Sequence, residues 1–175
     1  MLEEQVYESV FHYITNSSVK KVYIANATDR YWFERNSIKD VQKYLQKSEL
    51  AKMPDGLLES LYEKNSIPHV ITWKPIMITS EFLPKEYALN KGKVGKGYNC
   101  LVNMNEGNIG IRINNHSYRS YFTISKAAIT DDKKHALIKI GRHSAPMRGA
   151  GEWLLELEKI GLEWKVAGGL NFWIS

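Results

Sequence analysis

Between residues 135 and 175, HALIKIGRHSAPMRGAGEWLLELEKIGLEWKVAGGLNFWIS, apolar and polar positions alternate in three successive runs. The apolar members are Ala136, Ile138 and Ile140, then Trp153, Leu155 and Leu157, then Trp164 and Val166. Successive side chains of a strand point to opposite faces, so this period of two predicts three consecutive antiparallel strands with one buried face. The runs are separated by SAPMRGAG and IGLE, both rich in turn-forming residues. Gly149 and Gly151 suggest backbone conformations that a Cβ would strain, and Pro146 fixes its own φ, which predicts a defined turn over residues 144–151. Trp153, Leu155, Leu157, Trp164, Val166 and Trp173 are the expected buried row.

Upstream the period changes to that of helices. Val6, Val10, Phe11 and Ile14 share a helical face, and Glu3, Glu4 and Glu8 lie where negative charge complements the helix dipole, so residues 2–16 predict an amphipathic helix. A strand follows over residues 20–27. Ser37 reads as the N-cap of a helix over 38–46 with Ile38, Val41 and Leu45 on one face, and Pro54-Asp55 precedes a second over 56–64 with Leu57, Leu58, Leu61 and Tyr62. Residues 69–79 favour strand but contain Pro75, which predicts a kinked or edge pair. A helical turn is expected over 80–87, and NKGKVGKG at 90–97 forms a loop. Residues 98–104 and 109–113 predict a hairpin around Asn105-Glu106-Gly107-Asn108, and 118–129 continues the sheet.

With 175 residues, 43% hydrophobic and 25% charged, the chain has an ordinary globular composition. A chain of this length buries about 70% of its unfolded surface. One domain over 1–175 follows, with an α+β fold in which the N-terminal helices pack on one face of a mostly antiparallel, curved sheet. By fold analogy alone this is cystatin-like or nuclear-transport-factor-like. The single Cys100 leaves no internal disulfide and no multi-cysteine zinc site. No apolar run approaches the roughly 18 residues of a membrane span. The opening MLEEQVYESVFHYIT is acidic and periodic, unlike a signal peptide, which implies a cytoplasmic protein if Met1 is the native start and an exported one if a signal peptide has been removed.

The histidines, at 12, 69, 116, 135 and 143, lack the spacing of a zinc hydrolase, and there is no G-x-S-x-G elbow. The glycine-lysine loop fails as a phosphate cradle because Gly97 and Tyr98 follow Lys96 where Ser or Thr is needed. No cofactor is indicated. Two groups remain as candidate binding residues. Tyr31, Trp32 and Phe33 beside Arg30 can stack on a base or anchor an interface, although three adjacent aromatics cannot all face one way and core packing is the favoured reading. Arg142, His143, Arg148 and Glu152 bring a histidine, a carboxylate and two arginines to one long turn, but Arg142 and His143 point to opposite faces of a strand, which favours a solvated hairpin tip.

The excess of basic residues, 24 against 19, gives +5, and nucleic acid would require that charge on one face. Arg112, His116 and Arg119 with Arg142 could supply a basic sheet surface, but no aromatic RNA-binding pattern accompanies them. The residues Ala136-Leu137, Gly149-Ala150-Gly151, Leu154 to Lys159, Gly161, Trp164-Lys165-Val166 and Trp173-Ile174-Ser175 resemble the C-terminal module of a family of uncharacterised bacterial proteins. That resemblance covers about the last third of the chain and implies strands and turns, with no activity attached. Many of its members are exported and carry two cysteines in the turn that Ser144 to Arg148 occupies here, where this chain has none. A non-enzymatic protein-binding module is the favoured function, acting through residues 31–33 or 144–151. A small enzyme or ligand pocket between the helices and the concave sheet face is the alternative, and a weak nucleic-acid binder the third.

Overall fold

The computed structural model describes residues 2–15, 21–24, 30–67, 69–70, 73, 79–82, 111–113, 116–118, 120–144 and 151–174. Helices α1 (Leu2–Thr15), α2 (Arg30–Arg35), α3 (Ile38–Leu45) and α4 (Leu57–Lys64), with a 3-10 turn at Glu49–Lys52, occupy the N-terminal part, and β1 (Lys21–Ile24) lies between α1 and α2. The remaining strands are β2 (Thr79–Phe82), β3 (Ile111–Ile113), β4 (His116–Tyr118), β5 (Ser120–Ile124), β6 (Ala128–Ile129), β7 (His135–Ser144), β8 (Gly151–Ile160) and β9 (Glu163–Ile174). The main sheet runs β2-β1-β5-β7-β8-β9, with β6 also on β7, and β3 pairs separately with β4. β1 is parallel to β2 and β5, and every other described pairing is antiparallel, so the expected α+β class with a curved, mostly antiparallel sheet holds.

The strand phase of residues 135–174 is as the alternation requires. Leu155, Leu157 and Trp164 are buried and Trp153 and Val166 half-buried on one face, while the side chain of Trp173 lies outside the described residues. That face, with Ala136, Ile138 and Ile140 from β7, packs against Val6, Val10 and Phe11 of α1. Burial, reinforced by Glu3, raises the Tyr7 hydroxyl above the usual tyrosine range, so it is a neutral member of this core.

The helices do not share one face. Trp32 and Phe33 of α2, Val41 and Leu45 of α3 and Leu57, Leu58 and Leu61 of α4 pack on the opposite side, against Ala128, Leu137 and Leu154. The expectation of single-face packing is corrected by those last residues: β7 and β8 carry apolar side chains at both parities, and a strand apolar on both faces needs cover on both.

Local chemistry explains the helix starts. Ser37 caps α3 by accepting from the Asp40 backbone N–H at 3.2 Å, while its hydroxyl donates to the Asp40 carboxylate at 2.6 Å. The helical turn expected at 80–87 is instead strand where it is described, because β2 extends to Phe82 in parallel register with β1. The residues of the hairpin expected over 98–113 lie outside the described residues except for β3, which pairs with β4. The glycine-lysine loop at 90–97 also lies outside them. Gly151 opens β8 in register with Arg142 and Ile174, Gly149 and the rest of the turn over 145–150 lie outside the described residues, and the left-handed glycines among the described residues are Gly56 and Gly161.

One junction touches both helical layers. Between β5 and β6, the Ala127 N–H donates to Glu3 Oε1 of α1 at 2.9 Å, and the Lys126 N–H donates to Oδ1 of Asn65, just past α4, at 2.8 Å. Asn65 is fully buried and its Nδ2 donates to the Leu61 and Lys126 carbonyls.

Candidate functional site

Two of the candidate residues, Trp32 and Glu152, meet in a buried charged cluster. Lys139 projects from β7 with the parity of Leu137, and Glu152 projects from β8 one diagonal away, since Lys139 faces Leu154 in the register. The Lys139 Nζ donates to Glu152 Oε1 at 3.3 Å, and Arg35 Nη2 from α2 donates to Oε2 at 3.2 Å. Lys139 is 0% exposed, Glu152 4% exposed, and the ammonium lies 5.7 Å from the centre of the Trp32 ring. A carboxylate clamped between two cations under an aromatic ring is well satisfied electrostatically. Lys139 and Glu152 are buried within the cluster, while the Arg35 side chain, 50% exposed, closes it from the solvent side. This cluster therefore joins α2 to the sheet. A second buried acid on the same face, Glu156, lies 3.3 Å from His135 Nδ1.

Neither Lys139 nor Arg35 stands out in the sequence. Within Ile138-Lys139-Ile140 the lysine looks like a solvent-facing position, and the available signal was its parity with Leu137, two residues earlier. Tyr31, Trp32 and Phe33 lie in a short helix rather than an exposed segment. Trp32 is fully buried with Phe33 and Phe172 each 5.0 Å away, centre to centre, which removes it from the surface as an interface anchor. Arg142 is exposed while Glu152 is buried, so these two do not converge on a ligand. His143 pairs with Tyr121 in the β5–β7 register; its side chain, that of Tyr31, and all of Arg148 lie outside the described residues.

A groove of about 740 Å³ opens between α1 and the start of β9. Glu8, His12 and Tyr13 line it from the helix, and Leu162, Trp164 and Val166 from the strand. Two exposed apolar side chains, Leu162 at 89% and Tyr13, stand at its rim among polar lining residues that include Gln5, Ser9, Glu163 and Lys165. Trp164 is 4% exposed, and its Nε1 is buried with no hydrogen-bond partner among the described residues. Two smaller grooves lie elsewhere, one beside the end of α4 and one between α3 and α4.

β9 ends the sheet and among the described residues pairs with β8 alone. Its backbone polarity follows from the register. The Lys159 N–H donates to the Lys134 carbonyl, away from β9, so its partner Trp164 also directs its N–H and C=O away from β8. Alternation places the Val166 groups outward too. The pairing then shifts at Ala167 and again at Phe172, two bulges that leave Glu163 to Val166 as the regular edge beside the groove. Gly161, at φ +64°, supplies the tight turn that brings β9 back along β8 and leaves Leu162 at its tip.

Among the described residues no group of three His, Cys, Asp or Glu side chains could hold a metal ion. No described helix is long and apolar enough to cross a membrane. No protein-family model, curated protein or solved structure matches this chain.

Proposed function

We propose that this protein is a non-enzymatic protein-binding module that recognises extended polypeptide through the outer edge of β9. The observation that carries this reading is the edge of Glu163 to Val166, unpaired among the described residues, beside a groove with Tyr13 and Leu162 at its rim. Outward N–H and C=O groups at strand spacing are matched by another polypeptide backbone, and the groove accepts alternate side chains of an added strand. Of the two surfaces expected from the sequence, Trp32 and Phe33 of α2 are buried in the core, and residues 145–150 of the turn lie outside the described residues.

Val166→Pro tests it. Proline is tolerated at an edge position whose N–H faces outward, yet it deletes the donor and obstructs a new strand. Peptides selected by phage display on the immobilised chain should bind the native protein and lose at least tenfold in affinity for Val166→Pro, with the melting temperature of the variant little changed. Equal binding to both proteins, or failure to select any peptide on a chain that is itself monomeric, would overturn the reading.

A further inference from the structure

We infer that the strand added to this edge is β9 of a second copy, in antiparallel register about a two-fold axis at Trp164. The inference rests on the reading of β9 as a binding edge and adds the identity of the occupant.

The edge is complementary to itself. Antiparallel pairing centred on Trp164 sets Glu163 of each copy opposite Lys165 of the other. Both side chains are largely exposed, 78% and 58%, and within one chain they already approach to 3.9 Å on the same face. The pair of strands would therefore carry a two-by-two checkerboard of alternating charge, in which every neighbour is opposite in sign. A one-residue slip would break this pattern and send each side chain to the wrong face.

The other face fits as well. The same register sets Leu162 of one copy opposite Val166 of the other, on the side of the sheet covered by α1. The most exposed large apolar side chain in the described residues thus enters the groove of its neighbour, where Tyr13 and Val166 wait. At the axis, Trp164 exchanges both backbone hydrogen bonds with its own copy, since its N–H and C=O face outward. Main-chain bonds supply the attraction and the charges select the register. The bulge at Ala167 ends the pairing, which keeps the contact closed and two-fold rather than open-ended.

Charge reversal tests the register directly. Light scattering after size exclusion should give the native chain a mass twice its 20.2 kDa. Glu163→Lys and Lys165→Glu should each halve that mass, because like charges then oppose twice. Mixing these two variants, or combining both changes in one chain, should restore the dimer. A native monomer, reversal variants that keep the native mass, or a mixture that stays monomeric would each overturn the proposal. A native monomer that still captures peptides in a Val166-dependent manner sinks the second copy alone; a dimer that survives Val166→Pro sinks the edge contact itself.

Discussion

The two faces of the β7–β9 sheet are built from the same strands and differ in kind. Beneath α1 the row is Ala136, Ile138, Ile140, Leu155, Leu157 and Trp164, apolar throughout. Beneath α2, α3 and α4, Leu137 and Leu154 share the surface with buried Lys139, Glu152 and Glu156. An apolar face accepts any helix of suitable shape, whereas a buried charge accepts only a cover that presents its counter-ion in the right place. Arg35 and Trp32 meet that requirement for α2. Buried ion pairs add little net stability but make a wrong arrangement costly.

The contrast breaks most sharply at Glu152. Glu152→Ala leaves the Lys139 ammonium buried without its carboxylate and should cost about 3–5 kcal/mol, while Lys139→Met combined with Glu152→Leu should restore most of that loss. Chemical denaturation of the three proteins measures it, and a double variant no more stable than Glu152→Ala would refute the pairing argument. On the other face, Leu155→Ala costs about 2–5 kcal/mol through cavity formation, with no second change that rescues it by charge.

A smaller effect separates local from long-range anchoring on the charged face. Ser37→Ala removes the α3 cap at a cost of about 1 kcal/mol. The Ser37 hydroxyl, then Lys43, hold the Asp40 carboxyl below its ordinary value of 3.8. A carboxyl lowered in the folded state favours folding above its unfolded pKa, and that contribution fades as pH falls through the lower folded value. Thermal melts from neutral to strongly acidic pH should therefore show the deficit of Ser37→Ala shrinking at the acid end. A deficit constant with pH would assign it to the backbone cap alone.

The alternation in residues 135–174 was legible because β7 and β8 each carry three successive apolar residues at one parity, Ala136-Ile138-Ile140 and Trp153-Leu155-Leu157, and each strand's neighbour is adjacent in sequence. The helices α1, α3 and α4 were equally plain, down to the Ser37 cap, whereas the short α2 at Arg30–Arg35, whose three adjacent aromatics show no helical stripe, was not. What stayed hidden is what depends on distant partners. Lys139 is indistinguishable from a surface lysine until Glu152 and Arg35 are placed beside it, and the second apolar parity at Leu137 and Leu154 acquires meaning only with helices on both sides. The groove was hidden for the same reason, since α1 and β9 are separated by most of the chain and neither carries a motif.

The junction at Lys126 and Ala127 has a consequence for the order of assembly. The bond from Ala127 to Glu3 spans 124 residues and that from Arg35 to Glu152 spans 117, while β7, β8 and β9 meet through consecutive antiparallel connections. Closing a long loop costs entropy before any contact repays it, so short-range hairpins lead and distant dockings follow. During synthesis the first helices emerge long before the strands that cover them, with their apolar stripes still unmatched. The hypothesis is that β7–β9 form the template on which α1 and α4 later converge. In pulse-labelled refolding, the amides of β8 should become protected before that of Ala127, and simultaneous protection would reject a template that forms first.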